Sequence, residues 1–234
     1  MVKIENIPNH VAVIPDGNRR WAKAHRLNPW DGHTEGVKKF WEVSDHAYRM
    51  GIENLTFWAA SFDNLKKRSK IEVTFLLKLL EQELLSPRIL SQCMERQTRA
   101  RVMGEWRVFV KNKNLIESIE NLIKKTAHFK ERSLNILFAY DGQREMLSAL
   151  ESINNSGERI SEQTLLKHMW TGELPPVDLV VRTGGEPHWS AGFLMWLTAN
   201  SQFYFTEMLW PDFDGGELKK AAIDYDRRER RLGK

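Results

Sequence analysis

The chain has 234 residues, 41% of them hydrophobic and 28% charged, an ordinary globular composition long enough to bury a sizeable core. Its formal net charge is +4 and its pI about 9.1, which suits an anionic ligand or an acidic membrane surface without demanding nucleic acid. A single cysteine, Cys93, excludes an internal disulfide and any multi-cysteine zinc site, and reads as a reduced cytosolic thiol on a helix.

The polar start MVKIENIPNH gives no signal peptide. No stretch approaches the roughly 18 apolar residues that would span a bilayer, so a cytoplasmic protein is expected. Residues 11–15 read as a short buried strand. Over residues 34–50, Val37, Phe40, Trp41, Ala47 and Tyr48 share one stripe with small Ser44, an amphipathic helix that Gly51 ends. Residues 55–60, LTFWAA, form a second strand with Trp58 in the core. Ser69-Lys70-Ile71-Glu72 has the form of a capping box. The helix it opens, residues 72–85, carries Val73, Leu76, Leu77, Leu80 and Leu84 but also Phe75, Leu79 and Leu85. That arc is too wide for one core face and suits a cavity or an interface.

Strand-like runs recur at residues 100–103, 134–140 and 177–181, separated by helical patterns over 114–129, 143–153 and 161–170. This alternation predicts an α/β fold with a mainly parallel central sheet flanked by helices. There is no repeat, and the linker-like stretch 154–157 is too short to divide domains, so residues 1–234 read as a single domain.

Two strand ends carry chemistry. After the first strand come Asp16-Gly17-Asn18-Arg19-Arg20, just before a helix. Ligands of such sheets bind beyond the carboxyl ends of the strands, and free N–H groups at a helix start attract anions. Gly17 lets backbone approach a ligand, and Arg20 and Arg19 supply charge and donors suited to phosphate. Asp16 would repel a bare phosphate but would fit a Mg²⁺ shared with a diphosphate. Equally, Asp16 and Asn18 could simply cap the helix. The second place is Arg182-Thr183-Gly184-Gly185-Glu186 after VDLVV, a second cradle or a plain glycine turn after an edge strand. Two such ends with arginines suggest a site for two phosphorylated groups.

Taken in order, the stretches HVAVIPDGNRRWA, GHTEGV, LTFWAASFDN, LNILFAY, VRTGGE, LWPDF and RERRLG resemble the cis-prenyltransferases, the group that includes undecaprenyl and dehydrodolichyl diphosphate synthases. The resemblance spans residues 10–233. It implies transfer of an allylic prenyl group to isopentenyl diphosphate with Mg²⁺ as cofactor, an apolar groove for the growing chain, a homodimer, no nucleic-acid partner and peripheral membrane contact. It assigns Asp16 to metal binding and catalysis, and Asn64 to proton removal. Because an amide is a weak base, Asn64 is expected to position a relay. The allylic diphosphate would be held by Gly17, Asn18, Arg19, Arg20 and His33, flanked by Trp21, with Ser61, Asp63 and Arg68 on the following segment. Arg182, His188, Trp189 and Ser190 would take the acceptor. The terminal Arg231-Leu232-Gly233 resembles a segment that reaches a partner subunit's site; alone it would read as a solvated basic helix end.

The chain departs from the family pattern at several positions. The second arginine of R-x-x-x-E-x-R-x-S is His188, and a neutral imidazole offers one donor where guanidinium offers five. The second metal ligand is Gln202, an amide without charge. Pro29 replaces an arginine, Leu65 an aromatic, and Tyr-Gly-Gly-Arg becomes Tyr140-Asp141-Gly142-Gln143, with Arg144 displaced. His188 and Gln202 fall on the acceptor half, which points to altered acceptor handling: less selective elongation, an irregular linkage, or transfer to a hydroxyl. The competing class is a non-catalytic partner subunit, and the intact Asp-Gly-Asn-x-Arg motif argues against it.

Overall fold

A computed structural model describes residues 4–228. The strands are β1 (His10–Ile14), β2 (Asn54–Ser61), β3 (Thr98–Met103), β4 (Arg132–Tyr140), β5 (Leu179–Arg182) and β6 (Gln202–Phe205). They form one six-stranded sheet in the order β3-β4-β2-β1-β5-β6. The pairs β1 with β5, β5 with β6, and β3 with β4 are parallel. The helices are α1 (Asn18–Ala24), α2 (Pro29–Met50), α3 (Phe62–Lys67), α4 (Lys70–Leu85), α5 (Pro87–Glu95), α6 (Trp106–Phe109), α7 (Lys113–Thr126), α8 (Gly142–Ser156), α9 (Glu162–His168) and α10 (Gly215–Arg227). The expected α/β fold with a parallel sheet is what the chain builds.

The chain divides into two compact units. One comprises Met1–Leu55, Val177–Pro187 and Asn200–Lys234; the other comprises Thr56–Pro176 and His188–Ala199. In the first unit, β1 is buried along its whole length because a parallel strand loses water on both faces. Helix α2 begins at Pro29, five residues before the start at 34 that its pattern predicts. Pro29 sits in the first turn, where its missing N–H is harmless, and Asn28 N–H donates to Asp31 Oδ2 at 3.0 Å. Gly51 ends the helix at φ 87°.

In the second unit, β4 is buried from Ser133 to Tyr140. Trp58 is a core residue, stacked on Phe193 with ring centroids 5.0 Å apart. Ser69 caps α4 by accepting from Glu72 N–H, but the Glu72 carboxylate pairs with Arg68 at 3.3 Å. Within α4, Leu84 is buried while Val73, Phe75, Leu76, Leu77, Leu79 and Leu80 are all partly exposed. The broad apolar arc of this helix is therefore left half covered. Ala59 is likewise exposed on β2 although Phe57, Trp58, Ala60 and Ser61 are buried. Cys93 lies buried on α5, its thiol pushed up to about 11 mainly by desolvation.

Candidate active site

β1 and β5 end side by side, Ile14 paired with Arg182, and each strand runs into one of the two polar loops. The backbone carbonyl of Asp16 accepts from Thr183 Oγ1 at 2.8 Å and from Trp210 N–H at 3.0 Å. Gly17 N–H donates to Asp16 Oδ1 at 2.6 Å. The loop is thus fixed by residues about 170 and 190 positions away in sequence.

Two guanidinium groups flank the Asp16 carboxylate. Arg20 Nη2 lies 3.4 Å from Oδ1 and Arg182 Nη2 lies 3.5 Å from Oδ2. The pair is asymmetric: the Arg20 side chain is 49% exposed and that of Arg182 only 6%. Burial pulls the Arg182 guanidinium below its ordinary value, and the charges of Asp16 and Glu186 oppose that pull. Arg20 Nη1 also donates to Gly184 O at 2.6 Å. Two guanidinium groups at the sheet's carboxyl edge supply the donors that a phosphate group takes there.

Glycine is required at two places. Gly17 has φ 109°, and a Cβ there would come within 2.8 Å of Leu209 Cδ2. Gly184 has φ 90°, and its Cβ would meet Arg20 Nη2 at 2.5 Å. A side chain at either position would displace the loop or the cation. The alternative that Asp16 and Asn18 cap α1 is not what forms: the N-cap is Gly17, with no side-chain cap hydrogen bond.

Other expected contacts fall as follows. The Asn18 side chain turns inward. Its Nδ2 donates to Pro15 O at 3.4 Å, while Oδ1 sits 2.3 Å from where a Gly36 Cβ would be. A Cβ at Gly32 would lie 2.0 Å from Asn18 O. Asn18 therefore docks α1 onto two glycines of α2, and any ligand contact it makes falls to its backbone. Trp21 stacks on His25 and donates from Nε1 to Asp212 Oδ1 at 2.7 Å. Arg19 is exposed on α1 and His33 half-buried on α2.

Gln202 opens β6 opposite Leu179, whereas Phe205 pairs with Arg182 at the Asp16 end. Three residues of strand span about 10 Å, so this chain does not bring Gln202 to Asp16. Register, which the linear order of residues hides, is the reason. Among the described residues no three His, Cys, Asp or Glu side chains gather to hold a metal. Mg²⁺ commonly takes one or two carboxylates and completes its shell with water and substrate phosphate oxygens. Asp16, a hard oxygen donor in a diphosphate-suited loop, fits that donor set by itself.

In the second unit, Ser61 Oγ caps α3 by accepting from Asn64 N–H at 3.0 Å, which leaves the Asn64 side chain exposed at the carboxyl end of β2. Asp63 pairs with Lys67, whose hydrogen bond lowers its pKa. Arg68 pairs with Glu72, and both side chains are largely buried, so Arg68 helps join α3 to α4. His188 Nε2 and Ser190 Oγ are 2.9 Å apart, and Trp189 donates to Phe193 O at 2.8 Å. Arg231 lies outside the described residues. Thr183, Leu209 and Trp210 fix the Asp16 loop without having been singled out as site residues. The only hint in the sequence is that all three belong to motif stretches.

A carboxylate between two arginines beyond a parallel sheet defines an α/β enzyme that handles phosphorylated substrates. The chain belongs to the undecaprenyl diphosphate synthase family, whose model matches residues 14–233, and it is a prenyltransferase. It is 37% identical over 229 residues to an isoprenyl transferase of Neisseria meningitidis serogroup B, covering 97% of this chain and 90% of that one. It is also 37% identical over 243 residues to the Pyrococcus furiosus tritrans,polycis-undecaprenyl-diphosphate synthase (geranylgeranyl-diphosphate specific), covering 100% of this chain and 89% of that one. Among solved structures, lavandulyl diphosphate synthase from Lavandula x intermedia, in complex with dimethylallyl diphosphate, superposes with a TM-score of 0.89 at 30% identity, covering 97% of this chain and 99% of that one.

Proposed function

We propose that this prenyltransferase joins an allylic prenyl diphosphate to isopentenyl diphosphate and so builds a cis-polyprenyl diphosphate. The observation that carries the reading is the Asp16 carboxylate with Arg20 and Arg182 at 3.4 and 3.5 Å. The allylic C–O bond breaks and pyrophosphate leaves with the electron pair. The acceptor's double bond supplies the electrons of the new C–C bond, and an acceptor proton is lost as the next double bond forms. Arg20 stabilises the charge that grows on the departing diphosphate, and Arg182, on the other side of the Asp16 carboxylate, holds the acceptor's diphosphate. Both are positioned before substrate arrives, Arg20 by Gly184 and Arg182 by burial. Asp16 would hold Mg²⁺, which when bound neutralises diphosphate charge. Gly17 leaves backbone room for the diphosphate, Trp21 and His33 flank it, and Arg19 adds charge from the exposed side of α1.

In the second unit, Asn64 orients the proton relay while Ser61 holds its backbone. His188, Trp189 and Ser190 contact the acceptor, and by the family resemblance Arg231 would serve the site of a partner subunit. The half-covered arc of α4 and the exposed Ala59 receive the apolar chain. One family model matches across both units, which supports one catalytic domain. No helix among the described residues is long and apolar enough to cross a membrane. We place the enzyme in the cytoplasm as a homodimer touching the membrane surface peripherally. The lone buried thiol of Cys93 suits a reducing compartment.

His188 favours a second reading. An imidazole beside Ser190 offers a diphosphate fewer donors than a guanidinium, and a different acceptor, either a second allylic diphosphate or a hydroxyl, becomes competitive. The dimethylallyl diphosphate held by the lavandulyl diphosphate synthase is an allylic diphosphate and supports testing that acceptor. The experiment supplies geranyl or farnesyl diphosphate and Mg²⁺ with isopentenyl diphosphate, dimethylallyl diphosphate or a simple alcohol, and identifies products by chromatography and mass. Polyprenyl diphosphates growing by five-carbon steps sustain the first reading. Products formed only without isopentenyl diphosphate replace it with the second.

A further inference from the structure

Strand β3 carries Arg99 and Arg101, two residues apart and therefore on one face. Both guanidinium groups reach one oxygen: Glu173 Oε2 lies 3.0 Å from Arg99 Nη2 and 3.5 Å from Arg101 Nη2. The exposures are unequal. The Glu173 side chain is 71% exposed, that of Arg99 31% and that of Arg101 16%. Two largely buried cations are thus balanced by one solvated carboxylate. That carboxylate comes from the turn after α9, where Thr171 is anchored to the buried Glu145 through its N–H and its hydroxyl.

The same face is polar deeper in. The register pairs Arg99 with Ser133 and Arg101 with Asn135. Asn135 is fully buried, and its Nδ2 donates to Thr56 Oγ1 at 3.1 Å and to Ser133 Oγ at 2.9 Å. With the amide nitrogen committed, Asn135 Oδ1 is buried without a hydrogen-bond partner, as are Nε of Arg99 and Nε of Arg101. Unpaired polar atoms at such depth are destabilising. Here two donors and one acceptor of this kind are gathered on neighbouring strands. Desolvation, and then repulsion from Arg99, pull the Arg101 guanidinium below its ordinary value, with Glu173 opposing. A group that satisfies all three atoms accepts from the arginines and donates to the amide oxygen. A protonated oxyanion does both; a carboxylate or sulfate only accepts.

We propose that Arg99, Arg101 and Asn135 form a second anion site that binds a small protonated oxyanion of the inorganic phosphate class, with Glu173 as its tethered competitor. The site lies toward the amino ends of β3 and β4, whereas Ser61 ends β2 and Asn64 follows it. None of its residues is among those assigned to the transfer reaction.

The test labels the arginines with ¹⁵N and follows the Nε–H resonances of Arg99 and Arg101, assigned through Arg99→Lys and Arg101→Lys. Inorganic phosphate and sulfate are titrated at constant ionic strength. Phosphate is expected to shift both resonances and sulfate to shift them far less. Glu173→Gln, an exposed change that leaves the core alone, should lower the phosphate concentration at half-saturation by about tenfold, because the competitor no longer occupies the fork. Resonances unmoved by phosphate in both proteins overturn the site. Equal responses to phosphate and sulfate overturn the role of Asn135. Shifts produced by phosphatidylglycerol vesicles but not by free phosphate overturn it in favour of a lipid headgroup.

Discussion

The Asp16 loop and the His188–Ser190 segment are both assigned to substrate, yet they are built differently. Asp16 is held through its carbonyl by Thr183 and Trp210, and Gly17 packs on Leu209, all distant in sequence. His188 bonds Ser190 two residues on, and Trp189 bonds Phe193 four residues on; His188 and Trp189 are exposed. A locus where charge must be stabilised at fixed geometry gains from long-range support, since a preorganised donor needs no reorganisation during the reaction. Side chains as exposed as His188 and Trp189 tolerate replacement without disturbing the core. His188, where the sequence departs from the family pattern, falls on that exposed segment.

The comparison breaks most directly at Asp16. Asp16→Ala is expected to lower kcat for prenyl transfer by about 10³-fold, while far-UV circular dichroism stays near the parent's and the melting temperature falls modestly, because Arg182, 6% exposed, loses a counter-charge. Activity within tenfold of the parent would remove Asp16 from the chemistry. Next comes the docking of α1. Gly36→Ala places a methyl group 2.3 Å from Asn18 Oδ1, and overpacking of this kind destabilises by about 1–3 kcal/mol. Urea unfolding should show that loss, with a rise in KM for the allylic diphosphate as α1 and Arg20 move. A fully stable, fully active variant would mean that α1 is not fixed from α2.

Much of this was legible in the chain. Continuous apolar runs revealed β1, β2 and β4, because strands of a parallel sheet are buried on both faces. Helices α1 and α3, seven and six residues long, are too short to show a period; α1 was expected from the turn that precedes it, and α3 was not foreseen. β6 reads QFYF and is only half buried, so it gave no strand signal. The Asp16 loop stood out because its residue types are rare together at a strand end. Its support by Thr183 and Trp210, and the inward turn of Asn18, depend on contacts between distant segments that no local pattern encodes. Asn64 and Ser190 became candidates only through family resemblance; each is a lone polar residue with no distinguishing spacing.

His188 sharpens the comparison from the tolerant side. His188→Arg is expected to raise kcat/KM for isopentenyl diphosphate by about tenfold through a charge-assisted contact, with stability unchanged. Adding Gln202→Glu should give no further gain, because Gln202 lies at the far end of β6 from the Asp16 level. A gain that needs both changes would place Gln202 within reach of the metal by a route outside this chain.

The smallest expected effect concerns the turn that displays Glu173. Glu145 is 1% exposed and accepts from Tyr140 OH at 2.6 Å and from Thr171 N–H and Oγ1 at 2.7 and 2.8 Å. Desolvation raises its pKa above the ordinary 4.5 although these donors pull the other way. The folded state therefore keeps a proton that the unfolded chain has already released. Stability is greatest below the unfolded value and declines as pH rises toward the folded one, with a slope of at most about 1.4 kcal/mol per pH unit. Glu145→Gln keeps a neutral side chain of the same shape and removes that titration. Urea unfolding between about pH 4.5 and pH 7 should show the parent losing stability relative to the variant as pH rises. Parallel profiles would mean that Glu145 is ionised in the fold, held as an anion by Tyr140 and Thr171.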